Sequence, residues 1–409
     1  MKLLWVKAGG LLPPDTGGKI RSFNILKQLA RKHDITLFTF YPEHPDDLHP
    51  AGSDMFSKLV AVPLPLPPRR GLGEYARSAR MLMAGRPFTI YKYFYPEVYR
   101  RYAALMQSAE FDLIVCDFLV PAPLMAWRTP PPKILFTHNV EAEVWARHYK
   151  VASNPLVKAA CWLESRALQR AERRYVQMAD YVLVVSESNR ASFAPYVDPR
   201  RISVIPTGVD TEYFQPSYGP EQPDTMAFTG SMDWMPNEDG VAYFVGKILP
   251  LIRSQIPEAA FWAVGRRPPR RLQALASNVV VVTGAVEDIR PYLAKAALCV
   301  VPLRSGSGTR IKIFEAMAMG KAVVSTTLGA EGLPVRHGEN IILADDPADF
   351  ARRVVDLLRD PPHRQRLGQA ARQLVEESYG WPAVAAYFES IILKTQVKDS
   401  GSVQPPLRV

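Results

Sequence analysis

The sequence has 409 residues, 47% of them hydrophobic and 22% charged, which predicts two or three domains and excludes a wholly disordered chain. No uninterrupted apolar run reaches the ~18 residues of a membrane-spanning helix, and residues 1–7 predict a β-strand rather than a signal peptide. The net charge of +10 favours acidic partners (nucleic acid, anionic lipid head groups or phosphorylated small molecules), although solubility alone also accounts for it.

The first half of the chain alternates predicted strands with predicted helices. Residues 2–8 predict a strand, and a loop containing Gly17 and Gly18 leads into a helix and a second strand at 35–40. A long helix is predicted at about 155–178. Short apolar runs predict further strands at 112–117, 133–137, 181–185 and 202–205. This order is typical of a parallel sheet covered by helices.

The second half repeats this pattern after a polar, proline-rich segment at 215–223, which predicts an interdomain linker. A last helix is predicted at about 381–393, and strands at 226–229, 260–264, 279–282, 298–301 and 322–326. Small residues such as Gly230 and Ser231 end several of these strands, as they do where parallel sheets bind ligands. The sequence therefore predicts an α/β fold with two doubly wound domains.

Residues 302–320 follow a strand and open a helix. Small residues before the helix let a ligand approach the backbone, and free N–H groups at the helix start attract an anion. Arg310 and Lys312 place two cations in the first turn, where the helix dipole disfavours them unless an anion binds. Glu315 follows on an otherwise apolar helix. We predict a diphosphate site here; the alternative is a solvated first turn with an ordinary Lys312–Glu315 pair.

The segment Phe314-Glu315-Ala316-Met317-Ala318-Met319-Gly320 resembles the glutamate motif of the retaining GT-B glycosyltransferases of family 4, which use nucleotide-sugar donors. Residues 204–210 and 328–333 resemble further segments of that family. Residues 137–141 together with 230–237 resemble a branch linked to bacterial exopolysaccharide synthesis. The resemblance covers nearly the whole chain.

This resemblance implies GT-B architecture, in which two Rossmann-like domains face each other across a cleft. Residues 1–210 are expected to form the acceptor-binding domain, and residues 211–379 the nucleotide-sugar-binding domain. A helix at 380–395 is expected to pack back on the first domain, and residues 396–409 to form a flexible tail.

The resemblance also implies roles for residues of the glutamate motif. Glu315 occupies the position whose carboxylate binds the ribose hydroxyls of the donor. Eight residues earlier, Ser307 stands where the family has its first motif glutamate, which leaves the donor sugar open. Gly308 and Thr309 are expected to face the sugar and the phosphate.

The loop at 230–237 lacks the arginine and lysine that the family often carries there. We therefore expect Arg310 and Lys312 to bind the diphosphate and to stabilise the charge that builds on it as the glycosidic bond breaks. Donor contacts are also expected from Gly230, Ser231 and Val286, the last in a loop that resembles the edge that binds the base.

In the first domain, the resemblance places Gly17 and Gly18 against the donor phosphate and the acceptor. The alternative is a glycine pair that serves only a tight turn. Lys19 and Arg21 follow and are candidates to anchor a phosphate. His138 ends a predicted strand, where ligands bind in such sheets, and is expected to contact the donor sugar.

The predicted function is retaining transfer of a sugar from a UDP- or GDP-sugar to a glycan or lipid-linked acceptor. The catalytic residues are expected to be His138, Arg310, Lys312 and Glu315, without a covalent nucleophile. No metal or cofactor is expected, because no aspartate pair or histidine cluster is apparent and the three cysteines are far apart. The expected location is cytoplasmic, at the inner face of the plasma membrane.

Residues 69–101 interleave eight cations with aromatic residues, which favours contact with an anionic membrane; equally open is a solvated helix pair whose aromatic residues are core. No nucleic acid partner is expected. Two alternative functions remain open. One is a nucleotide-sugar 2-epimerase of GT-B fold, and the other is a non-catalytic sugar-nucleotide or glycan-binding module, which Ser307 favours.

Overall fold

The computed structural model describes residues 1–12, 17–41, 53–64, 73, 77, 80, 81, 83–151, 154–216, 219–305 and 310–397. The chain divides into two compact units. Met1–Pro206 and the chain from Ala385 onward form the first, and Thr207–Val384 forms the second. This division differs by a few residues from the expected boundary after 210 and the expected helix at 380–395. Residues of the expected tail from 398 onward lie outside the described part of the chain.

A parallel sheet forms the centre of the first unit. Its strands are β1 (Lys2–Ala8), β2 (Asp34–Tyr41), β3 (Lys58–Pro63), β4 (Leu113–Asp117), β5 (Lys133–Phe136), β6 (Tyr181–Val184) and β7 (Ile202–Val204). Within the described residues they lie in the order β3-β2-β1-β4-β5-β6-β7. Strands β1 and β4 are nearly continuous buried runs, as central strands covered on both faces must be.

Helices connect the strands of this unit. They are α1 (Gly17–Leu29), α2 (Phe88–Tyr91), α3 (Pro96–Ser108), α4 (Glu141–Val151), α5 (Pro155–Met178) and α6 (Glu187–Phe193). Short 3₁₀ turns occupy Ser53–Met55, Ala122–Leu124 and Pro199–Arg201. Helix α5 begins at the predicted residue because the Asn154 side chain accepts hydrogen bonds from two N–H groups of the first turn, and Pro155 suits the first helical position.

The second unit repeats this plan. Its strands are β8 (Gln222–Thr229), β9 (Ala260–Val264), β10 (Val280–Val282), β11 (Ala296–Val301), β12 (Val323–Ser325) and β13 (Ile342–Leu343). In the described part of this unit they form one parallel sheet, ordered β10-β9-β8-β11-β12-β13. Because β8 begins at Gln222, the end of the predicted linker belongs to this strand.

Helices also link the strands of the second unit. They are α7 (Met235–Tyr243), α8 (Leu249–Arg253), α9 (Arg270–Gln273), α10 (Arg290–Lys295), α11 (Ile311–Ala318), α12 (Pro347–Arg359), α13 (Pro361–Ser378) and α14 (Trp381–Val397), with π-helical Phe244–Ile248 joining α7 to α8. The distal part of α14 belongs to the first unit. There the Phe388 ring lies 5.5 Å from the Trp5 ring, and Glu389 pairs with Lys32 at 2.8 Å.

Each sheet reverses its strand order at one place, β1/β4 in the first unit and β8/β11 in the second. At such a switch point the following loops diverge to opposite faces and leave a crevice at the carboxyl ends of the two strands. The first crevice begins beyond Ala8 and Asp117, and the second beyond Thr229 and Val301. Most predicted site residues lie near these two places.

The basic and aromatic stretch at 69–101 lies partly outside the described residues, among them Arg69 and Arg70. Four of its aromatic side chains are half-buried against the core of the first unit: Tyr91, Tyr93, Phe94 and Tyr95. Tyr99 is exposed. These contacts support the alternative in which the aromatic residues belong to the core. Among the helices in the described ranges, none combines the length and apolarity needed to span a bilayer.

Candidate functional site

In the second unit, the loops after β8 and β9 touch backbone to backbone. Gly230 donates its N–H to the Val264 carbonyl oxygen at 3.0 Å. A Cβ atom on Gly265 would overlap the Gly230 carbonyl oxygen, so this approach requires glycine. Gly230 therefore presents bare backbone at the switch point of the sheet.

Lys312, in the first turn of α11, faces this glycine. Its Nζ donates to Asn237 Oδ1 at 2.6 Å and lies 3.8 Å from the centre of the Phe228 ring. Asn237 is itself fixed, because its Nδ2 donates to the Ser231 carbonyl oxygen at 2.8 Å. A Cβ atom on Gly230 would lie 2.8 Å from Lys312 Nζ and 2.7 Å from Asn237 Nδ2. The ammonium is thus held against the glycine backbone.

Glu315 lies three residues further along α11 and is partly buried. Burial raises the pKa of its carboxyl group to about 7, against the opposing effect of Lys312. Burial likewise lowers the pKa of Lys312 to about 7, against the opposing effect of Glu315. Within the described residues, the Glu315 carboxylate accepts no hydrogen bond, so its oxygens are available to a ligand's hydroxyl groups.

Arg310 immediately precedes α11 and is buried. It donates from Nη2 to the Leu328 carbonyl oxygen at 3.3 Å, within the segment 328–333 singled out in the sequence. Burial lowers the pKa of its guanidinium, and Glu331 acts in the opposite direction. The predicted contacts Ser307, Gly308 and Thr309 lie outside the described residues.

Two arginines in the loop after β9 contact the loop after β8, and the sequence analysis did not identify them. Arg266 Nε donates to Ser231 Oγ at 3.1 Å, and Arg267 pairs with Asp233 at 3.2 Å. Two arginines directly after the strand-ending Gly265 are the signal that could have found them. Asn237, which positions Lys312, lies in the loop at 230–237, but the sequence predicted no role for it.

Val286 lies between β10 and α10 and is half-buried. Gly284, the second residue of this loop, has φ of 74° and forms an isolated bridge with Gly265. The loop that carries Val286 is therefore joined to the loop that carries Arg266. Its expected contact with the base remains a prediction.

At the switch point of the first unit, a lysine and an aspartate are buried opposite each other. Lys7 and Asp117 are register partners in β1 and β4, and Lys7 Nζ lies 3.1 Å from Asp117 Oδ2. Trp5 Nε1 donates to the same oxygen at 2.9 Å. Burial opposes ionisation of Asp117, but the charge of Lys7 and the hydrogen bond from His138 outweigh it and hold the pKa of Asp117 well below its usual range. Burial also lowers the pKa of Lys7.

His138 is bound on both ring nitrogens and is only 5% exposed. Arg21 Nη1 lies 2.9 Å from Nδ1, and Asp117 Oδ1 lies 2.8 Å from Nε2. Because a guanidinium only donates, Nδ1 accepts, and the ring proton is on Nε2 and is donated to Asp117. Burial lowers the pKa of His138 to about 4, so the imidazole is neutral at pH 7. Its contact with the donor sugar stays a prediction.

Phe118 covers this buried network. Its ring stacks on the His138 ring with centroids 4.0 Å apart, although φ of 70° is unusual for a bulky residue. Gly17 and Gly18 begin α1, and a Cβ atom on Gly18 would overlap the Phe118 ring. Gly18 is thus needed for packing as well as for any ligand contact, and Arg21 is turned inward to His138.

Two protein families match consecutive parts of the chain. Residues 16–213 match Glycosyltransferase Family 4, and residues 223–360 match Glycosyl transferases group 1. A D-inositol 3-phosphate glycosyltransferase 2 from Catenulispora acidiphila is 28% identical over 53% of this chain and 56% of its own length. An uncharacterized 44.6 kDa protein in the cps region of Klebsiella pneumoniae is 22% identical over 37% of this chain and 42% of its own. The chain spans about half the length of these curated relatives.

Solved structures resemble the whole chain. Sucrose-phosphate synthase from Thermosynechococcus elongatus superposes with a TM-score of 0.68, covering 98% of this chain and 100% of its own at 19% identity. Anabaena HepE in complex with UDP and glucose superposes with a TM-score of 0.60, covering 96% and 99% at 14% identity. Together with the two parallel sheets, these likenesses confirm the predicted GT-B fold class with two Rossmann-like domains.

Proposed function

We propose that this chain, which matches Glycosyltransferase Family 4 over residues 16–213 and Glycosyl transferases group 1 over residues 223–360, transfers a sugar with retention from a nucleotide sugar to a glycan or lipid-linked acceptor. The partly buried Lys312 and Glu315, at the switch point of the second sheet, bind the donor. The reaction serves exopolysaccharide or other cell-surface glycan synthesis. The location of the Klebsiella relative in the cps region supports this setting, and the UDP of the HepE complex supports the donor class.

The observation that carries the proposal is the arrangement of Lys312 and Glu315 on one helix turn beside Gly230. A nucleoside diphosphate presents phosphate oxygens to a cation and ribose hydroxyls to a carboxylate. Lys312 is already oriented by Asn237, and Glu315 accepts no hydrogen bond from the described residues. Such a ligand would give the Lys312 ammonium an anionic partner and the Glu315 carboxylate hydrogen-bond donors, which offsets the free-energy cost of burying these charges.

In the proposed reaction, Lys312 and Arg310 stabilise the negative charge that grows on the diphosphate as it leaves the sugar. The leaving phosphate takes the proton of the acceptor hydroxyl, so no covalent enzyme intermediate is formed. His138 is proposed to contact the sugar through a carbon edge of its ring, because Arg21 and Asp117 engage both of its ring nitrogens. Transfer proceeds without a metal ion, so a chelator leaves the rate unchanged.

A thermal-shift screen with UDP, GDP, ADP and their sugar conjugates tests donor binding. A ligand at ~100 times its dissociation constant adds about 2.7 kcal/mol of apparent stability. We expect one nucleotide class to raise Tm in the native protein and to do so much less in Glu315→Gln. If no nucleotide raises Tm at such concentrations, the proposal is wrong.

Turnover then separates a transferase from an epimerase or a binding module. The selected nucleotide sugar is incubated with and without glycan acceptors, and the products are analysed by NMR. Acceptor-dependent release of nucleoside diphosphate with an unchanged anomeric configuration supports the proposal. An isomerised nucleotide sugar without acceptor contradicts it, as does an inverted product.

A further inference from the structure

The amino-terminal turns of α5 expose apolar side chains to solvent. Leu156 is 80% exposed, Val157 51% and Trp162 47%, and Leu163 is also exposed. Leu156, Ala159 and Leu163 lie three and four residues apart, so they share one face of the helix. Such clustered exposure marks an interaction surface more often than scattered single residues do.

Cations surround this apolar group. They are Arg147 and Lys150 at the end of α4, and Lys158, Arg166 and Arg170 on α5. Lys158 Nζ lies 5.1 Å from the centre of the Tyr149 ring, and Arg166 lies 5.7 Å from that of Trp162. The positive heads thus lie directly beside aromatic surface.

Carboxylates are missing from the sequence between residues 144 and 163. The next one, Glu164, is buried and turned inward, where it accepts the N–H groups of Phe88 at 2.9 Å and Thr89 at 2.8 Å. The exposed charge between residues 144 and 163 is therefore entirely positive, and Glu143, which lines one cavity with Trp162 and Arg166, is the exposed carboxylate at the edge of this region.

We propose that this α4–α5 surface, comprising Tyr149, Leu156, Val157, Trp162, Leu163 and the five cations, docks on a bilayer that contains anionic lipids. Apolar side chains insert between the head groups, Trp162 lies at the interface, and the cations bind lipid phosphates. This surface differs from the stretch at 69–101, whose aromatic residues are largely packed on the core.

Charge argues against the other occupants. A second copy docked by a two-fold axis would bring the same cations face to face, which is unfavourable. Nucleic acid would use the cations and rings but would leave exposed aliphatic side chains such as Leu156 unburied. An anionic bilayer satisfies both the positive charge and the aliphatic groups.

Vesicle sedimentation of the full chain tests the proposal without any nucleotide sugar, so its failure is separate from failure of the transfer reaction. Phosphatidylcholine vesicles with about one third phosphatidylglycerol are compared with phosphatidylcholine alone. We expect binding to the anionic vesicles only. Leu156→Ser/Trp162→Ser is expected to bind at least ~10-fold more weakly. Arg166→Gln/Arg170→Gln is expected to bind the anionic vesicles more weakly, and its remaining binding should depend less on salt concentration.

Matched controls change equivalent groups elsewhere. Leu393→Ser removes another exposed leucine, and Arg128→Gln/Lys247→Gln removes the same charge from other exposed positions. Both controls are expected to bind vesicles like the native protein. Equal binding by all variants, or none by the native protein, overturns the proposal. So does a finding, by light scattering, that the Leu156 and Trp162 substitutions dissociate a dimer in a chain that ignores vesicles.

Discussion

Lys312 Nζ donates to Asn237 Oδ1 at 2.6 Å and thereby joins the helix that follows β11 to the helix that follows β8. These two strands flank the switch point of the second sheet. The bond fixes a partly buried ammonium at the place where parallel sheets bind ligands. It also holds Lys312 against Gly230, so that a side chain added at Gly230 would displace the ammonium.

Substitution of Gly230 by alanine is predicted to weaken nucleoside diphosphate binding by roughly tenfold, or about 1.4 kcal/mol. The new Cβ atom would lie 2.7 Å from Asn237 Nδ2 and 2.8 Å from Lys312 Nζ, so both must move. Isothermal titration calorimetry measures the change. Gly246→Ala is the control, because a Cβ atom there meets nothing within 4 Å. Equal affinity in both variants would show that the bond between Lys312 and Asn237 is not needed for binding.

Lys312→Met is predicted to weaken diphosphate binding on the order of 100-fold, because a charge-assisted contact is lost. The loss of charge on Lys312 is also expected to lower the native affinity as pH rises through about 7, against the gain from ionisation of Glu315, whose pKa is also about 7. Lysine carries its charge below its pKa, and burial has lowered the pKa of Lys312 to about 7. In Lys312→Met this alkaline loss should disappear. Lys247→Met, at an exposed helical position, should behave like the native protein; an unaltered pH profile in Lys312→Met would assign the titration to another group.

Glu315→Gln is predicted to remove most of the preference for a ribonucleotide over its 2′-deoxy form. In the native protein the carboxylate accepts the ribose hydroxyls, so deletion of the 2′-hydroxyl should cost ~10-fold in affinity. In the variant, the ribonucleotide and the deoxynucleotide should bind with similar, weaker affinity. Glu258→Gln, at an exposed position of the same unit, is the control. A preference that survives intact in Glu315→Gln places the ribose elsewhere.

Much of the fold was predictable because its elements have strong local signals. Helix α5 was predicted at 155–178, where Asn154 and Pro155 define its start. The buried strands β4 and β11 were visible as short apolar runs. The beginning of β8 was missed because its first residues are the polar Gln222 and the proline Pro223, both of which are typical of a linker.

The candidate sites were predictable only where chemistry and local pattern coincide. Lys312 and Glu315 are close in sequence, and each is unusual in its place. Lys312 is a cation at the start of a helix, where the dipole disfavours it, and Glu315 is a carboxylate on an otherwise apolar helix. The partners of His138 come from β4 and α1, 21 and 117 residues away along the chain. Asp117 and Lys7 are brought together by strand register, which a single sequence does not specify.

The buried histidine network predicts how stability depends on pH. The pKa of His138 is lowered to about 4 from an ordinary value of 6.5, so between these pH values the unfolded chain binds a proton that the folded chain does not. The contribution of His138 to the free energy of unfolding should therefore fall by up to about 3 kcal/mol as pH is lowered from 6.5 to 4. Asp117 titrates lower still in the folded protein, so its stabilising effect is lost below this window.

His138→Gln isolates this contribution from that of other groups. Glu172 has the opposite effect, because burial raises its pKa to about 8 and stability from that group falls as pH rises above 4.5. Chemical denaturation at several pH values between 4.5 and 7.5 gives the slope for each protein. The variant, although less stable at pH 7 through loss of the Asp117 and Arg21 contacts, should have a slope that is lower than the native slope (less positive or more negative) by up to one proton. The exposed-histidine control His148→Gln should keep the native slope. A native slope in His138→Gln would mean that His138 is charged in the folded protein, and Arg21 could then no longer donate to it.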